Sequence, residues 1–149
     1  MIDIRPATVD EMLVEAYALF EEHWDEIALN KDVMVLKPYE EKYRAAEEQG
    51  TIMILAAWQD DVLIGYSVNF VTNHLHYADM KLCSNDLLFV KKEYRQGRTG
   101  MKIMKATEAK AKSLGCQLML WHAKESTPLA DILPRMKYRV QDIIFSKEL

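Results

Sequence analysis

At 149 residues, half of them hydrophobic, the chain can bury a sizeable core, and no Pro/Gly/Ser-rich linker divides it, so residues 1–149 are expected to form one domain. A net charge of −4 and a pI near 5.6 speak against a nucleic-acid binder, which needs a basic stripe to displace counterions. Only two cysteines (Cys83 and Cys116), no charged-then-apolar leader at Met1 to Arg5 and no apolar run of membrane-spanning length point to a reducing, cytoplasmic setting with no membrane partner.

Ile2 to Pro6 alternates as a short strand, and Thr8 suits the cap of a helix from Val9 to about Ile27 with a stripe of Met12, Ala16, Leu19, Phe20, His23 and Ile27. Residues 28–37 read as a loop, and Pro38 opens a second helix that runs through Glu48 and stops at Gly50. Thr51 to Trp58 and Val62 to Thr72 are strands joined at Gln59-Asp60-Asp61, and Leu82 to Val90 is another. From Gly100 to Leu114 apolar residues recur at helical spacing, with Lys102, Lys105, Lys110 and Lys112 on the wet side and Gly115 ending the helix. Gln117 to His122 is a strand, Pro128 to Met136 a short helix and Val140 to Ser146 a last strand. The order β-α-α-β-β-β-α-β-α-β predicts an α/β fold: a mixed sheet with helices on both faces.

The most chemical stretch is Asp86-Leu87-Leu88-Phe89-Val90, followed by Tyr94-Arg95-Gln96-Gly97-Arg98-Thr99-Gly100-Met101. An apolar strand enters a turn with two glycines and two arginines, and a helix opens at about Gly100. Unpaired N–H groups and the positive end of the helix dipole therefore meet at one point, which suits an anion. The basic residues concentrate between Lys91 and Lys112, which fits one polyanionic ligand better than a duplex.

This stretch resembles the central motif of the GNAT superfamily of acyl-CoA-dependent N-acyltransferases, a strand ending in Val followed by Arg-Gly-x-Gly-x-Gly/Ala and a helix. Here the six positions read Arg95-Gln96-Gly97-Arg98-Thr99-Gly100: the Arg and the last Gly match, and Gly97 is displaced by one position. The element order is similar to the GNAT fold from end to end. The resemblance implies that Leu88, Phe89 and Val90 hold the pantetheine arm of acetyl-CoA and that Arg95, Gln96, Gly97, Arg98, Thr99, Gly100 and Met101 hold its pyrophosphate. It also implies a direct transfer of the acyl group to an amine acceptor, with strand N–H groups near Phe89 polarising the thioester carbonyl. The rival within the same fold is a non-catalytic CoA-binding or protein-interaction module. A homodimer is compatible with exposed strand edges.

Asp86 stands four residues before Val90, where several GNAT members carry a catalytic Glu, so the resemblance implies a general base there; the plain alternative is a solvated or capping Asp. His122, near the end of its strand, is a second candidate base, facing the cleft where the two parallel strands would splay. The family Tyr that protonates the leaving thiolate falls on Leu133, and the Gly of the same segment on Lys137, which leaves water or Tyr138 for that step. His74 and His76 with Asp79 lack a convincing further ligand, and no metal is expected. His23 reads as a core or cleft-edge histidine, Cys116 and the methionines as packing, and Glu21, Glu22, Asp25 and Glu26 as a solvated helix face or an attractor of a cationic amine.

Overall fold

The computed structural model describes all of residues 1–149. Strand β1 (Asp3–Pro6) leads to helices α1 (Val9–Glu15), α2 (Tyr17–Ile27) and α3 (Glu40–Glu48), then to β2 (Ile52–Gln59), β3 (Val62–Asn73) and β4 (Lys81–Val90). A 3-10 turn at Lys92–Tyr94 precedes α4 (Thr99–Ser113), β5 (Leu118–Leu120) and α5 (Pro128–Arg135). The sheet order is β1-β2-β3-β4-β5, antiparallel throughout except for the parallel β4–β5 pair. The expected mixed α/β sheet is therefore present.

Two layers of helix cover the sheet. On one face Val9, Met12, Ala16 and Leu19 pack with Ile54, Tyr66, Val68 and Phe89, with Tyr43 of α3 at the margin. On the other face α4 sets Ile103 against Ala57, Ile64 and Val90, and Ala111 against Leu55 and Cys83. Burying a large aliphatic side chain contributes about 2 kcal/mol, so these stripes are what holds the layers together.

Local chemistry explains most boundaries. Thr8 accepts from the Glu11 N–H at 3.1 Å while Glu11 reaches back to the Thr8 N–H, a capping box. Asp60 and Asp61 both take positive φ (50° and 63°), the twist-matched two-residue hairpin turn between β2 and β3. Gly115 ends α4 at φ 87°. Lys137, at the position of the family glycine, also adopts φ 65° as the chain leaves α5.

Two expectations are corrected. The first helix is broken at Ala16, which is fully buried; the bend lets α1 and α2 lay Val9, Met12 and Leu19 into one core. Residues His74 to Met80 form a closed loop, as the gap between the expected strands implies: His74 N–H donates to Met80 O, and Nδ1 of His74 accepts the His76 N–H at 3.0 Å. Val140 to Ser146 forms no strand. Its residues make no backbone–backbone hydrogen bond, and Val140, Ile143, Ile144 and Phe145 stand exposed. Their β-forming character lacks a neighbouring edge, and strand formation depends on that partner. No helix is long and apolar enough to cross a membrane.

Candidate active site at the parting of two parallel strands

The β4–β5 ladder has three rungs and ends at Ser84↔Leu120. Beyond it the strands part, and β4 carries a bulge. The register against β3 runs Val68↔Leu87 and then Asn69↔Asn85, leaving Asp86 as the extra, unpaired residue. A buried amide fastens this bulge: Nδ2 of Asn85 donates to Val68 O (3.3 Å), Leu87 O (2.9 Å) and Oδ1 of Asn69 (2.9 Å). Asn69 in turn donates to Met53 O and Ser67, and Thr107 of α4 donates to Ser67. Sequence reasoning did not single out Asn69 or Asn85. The available signal was an asparagine inside each of two apolar strands, where that residue is depleted.

The bulge places Asp86 and His122 in one neighbourhood. Nε2 of His122 shares a hydrogen bond of 3.1 Å with Oγ of Ser84, the last residue of β4 paired with β5. The side chain of Asp86 keeps solvent contact, yet the atoms around it raise its carboxyl pKa by desolvation, and the nearby His122 opposes that rise. Tyr43 of α3 is close enough to feel the Asp86 charge. A carboxylate with a raised pKa beside an imidazole is an arrangement that can take a proton from an ammonium group.

The register also decides which part of β4 is available. Lys91 N–H bonds Ile64 O, so by antiparallel alternation Leu87 and Phe89 turn their backbone groups to β3, and Leu88 and Val90 turn theirs to the open edge. Phe89 sends its ring into the core, stacked 5.0 Å from His23. Of the strand residues singled out above, Leu88 and Val90 thus face the cleft with their backbone, and Phe89 does not.

In the following turn no N–H from Gln96 to Met101 donates to another protein group. The Arg95 N–H bonds Lys92 O, and the next helical bond runs from Lys102 N–H to Arg98 O. Helix α4 starts at Thr99 without a side-chain cap. Neither Gly97 nor Gly100 needs positive φ, and a Cβ at either would meet only ordinary contacts at 3.9 Å, so these glycines leave room rather than relieve strain. Arg98 is exposed at the mouth of the turn. The guanidinium of Arg95 is instead bound to Glu26 of α2, with Nη1 and Nη2 at 2.6 and 2.7 Å.

The remaining candidates take structural places. Tyr138 donates to Glu108 of α4, which also accepts from Nε1 of Trp121; burial, reinforced by this hydrogen bond, pushes the phenol up to about 12. Leu133 is buried. Burial pushes the Cys83 thiol up to about 12 and raises that of Cys116, so neither is a ready thiolate. No group of three or more His, Cys, Asp or Glu side chains converges as a metal site would require.

His23 is buried under the site, its Nδ1 sharing a 3.0 Å hydrogen bond with the Tyr66 hydroxyl, and desolvation lowers its pKa to about 4. Below pH 6.5 the unfolded chain takes up a proton that the folded chain refuses until about pH 4. Folded stability therefore falls with pH across that window, by up to about 3 kcal/mol. Melting temperatures measured between pH 7 and 4 should drop accordingly, and His23→Gln should flatten the curve. An equally steep curve for the variant would assign the acid loss to the carboxylates.

The acetyltransferase (GNAT) family model matches residues 12–131, most of the chain, and the protein belongs to that family. Its fold is shared with an aminoglycoside acetyltransferase, HMB0005, from an uncultured soil metagenomic sample: TM-score 0.78, 15% identity, covering 100% of this chain and 99% of that one. A predicted acetyltransferase with acetyl-CoA from Clostridium acetobutylicum matches with TM-score 0.77 at 10% identity over 99% and 96% of the two chains. A ribosomal-protein-alanine N-acetyltransferase from Brucella melitensis biovar Abortus 2308 matches with TM-score 0.71 at 13% identity over 100% and 97%. At such identities the likeness is one of fold. No curated protein sequence matches the chain.

Proposed function

We propose that this GNAT acetyltransferase takes acetyl-CoA, or a similarly short acyl-CoA, and transfers the acyl group directly to a primary amine. The observation that carries this reading is the coincidence, at one end of β4, of an open strand edge, a bulged Asp86 beside His122, and a turn whose N–H groups are unspent. These residues fit a polyanion with an amide-bearing arm: Gln96 to Met101 and Arg98 suit a pyrophosphate, and the edge groups of Leu88 and the Val90 N–H suit amides. Acetyl-CoA, when bound, supplies an acyl group already activated as a thioester. Asp86, or His122 next to it, receives the proton of the incoming ammonium, and the edge N–H groups of β4 offer hydrogen bonds to a developing oxyanion.

Direct transfer is supported by the two cysteines, whose burial leaves them poor nucleophiles. With Leu133 at the family Tyr position and Tyr138 bound to Glu108, this chain offers no obvious side-chain acid for the departing thiolate. A thiolate leaves readily without one. Structural relatives are described as acting on aminoglycosides and on a ribosomal-protein alanine, so the acceptor screen should hold both polyamino sugars and peptide N-termini. CoA release from acetyl-CoA that depends on one of these amines is the expected result. Acetyl-CoA binding with no amine-dependent release across the panel would count against catalysis.

A further inference from the structure

A charged side chain held by three hydrogen bonds sits at the start of the proposed phosphate-binding turn. Arg95 donates through Nη1 and Nη2 to both oxygens of Glu26 and through Nε to Val90 O at 2.6 Å, and its guanidinium lies 5.3 Å from the Phe89 ring centre. Phe89 is stacked on His23, which bonds Tyr66. Both members of the pair are only about one-third or less exposed. One side chain thus joins the last residue of β4, the start of the turn and helix α2. A guanidinium whose Nε, Nη1 and Nη2 are all engaged is held in place rather than waiting for a ligand.

We propose that Glu26 and Arg95 form a strut that sets the turn on the end of β4, so that an acidic residue which does not itself meet the cofactor governs cofactor affinity. The inference rests on the acetyl-CoA reading above. Neither residue is catalytic; both position the N–H groups of Gln96 to Met101 against the Val90 edge. Electrostatics makes the idea testable by sign. Removing a carboxylate beside an anion site strengthens anion binding when charge alone acts. A strut demands the opposite.

The experiment is calorimetric titration of CoA into the wild type, Glu26→Gln, Glu26→Asp, Arg95→Gln and the Glu26→Gln/Arg95→Gln double variant. Each single variant should raise Kd by roughly tenfold, and the double should be no worse than either, because the two residues act as one unit. Glu26→Asp keeps the charge but is too short to span the fork, and it should weaken binding as Gln does. Wild-type or tighter binding by Glu26→Gln alongside weak binding by Arg95→Gln would overturn the strut and make Arg95 a direct phosphate ligand. Should the wild type bind no CoA, the cofactor reading fails separately, and the strut is judged on trypsin cleavage after Arg98. Cleavage several-fold faster in Glu26→Gln than in the wild type supports it, and equal rates overturn it.

Discussion

Replacing Asp86 with Asn is expected to lower turnover by about a hundredfold while the Kd for acetyl-CoA stays within about twofold of wild type. The reasoning is positional: Asp86 is the unpaired residue of the bulge, near His122 and away from the turn proposed to hold the phosphates. Its carboxyl pKa is raised by desolvation, so the acid limb of the rate profile should lie above the usual carboxylate range and should vanish in Asp86→Asn. His122→Gln tests the other candidate base. If it carries the larger loss and Asp86→Asn keeps the limb, the proton goes to the imidazole and Asp86 only orients it. Equal losses of turnover and cofactor affinity in Asp86→Asn would instead give Asp86 a structural role in the bulge.

Gly65→Ala is expected to be the most damaging small substitution in the sheet. Gly65 stands opposite Val90, and a Cβ there would lie 2.7 Å from Phe89 O, 3.2 Å from Cδ1 of Ile103 and 3.3 Å from Cα of Val90. Two of those atoms are backbone at the end of β4 and cannot rotate aside. Overpacking of this kind costs about 2 to 3 kcal/mol, which in a chain of this length lowers Tm by roughly 5 to 10 °C. Since β4 must move outward to admit the methyl, the Val90 edge moves with it, and cofactor affinity should fall together with Tm. A variant that melts and binds like the wild type would show that β3 and β4 have slack at this rung.

Much of the fold was legible because its signals are local. Asp60-Asp61 announces a hairpin, Gly115 a helix end and Thr8 a cap. What escaped reading depends on residues far apart in the chain. The bulge at Asp86 is fastened by Asn85 of β4 together with Asn69 of β3, 16 residues earlier, and Asn85 read alone does not reveal that pairing. Arg95 reads as a phosphate ligand from its place in the motif, but its guanidinium meets a carboxylate 69 residues earlier. Val140 to Ser146 carries strand-forming residues yet finds no edge, since pattern specifies what a segment can pair with and not whether the partner is within reach. The break at Ala16 has no glycine or proline to mark it; packing both halves of one apolar stripe onto a twisted sheet produces it.

Thermal melting with and without acetyl-CoA, for the wild type and Arg98→Glu, tests the central claim most directly. A ligand at about 100 times its Kd adds roughly 2.7 kcal/mol to the folded state, which in this size range raises the midpoint by about 5 to 10 °C. That rise in the wild type, reduced in Arg98→Glu, is the result expected of a cofactor seated on the turn before α4. No rise at saturating acetyl-CoA would contradict it.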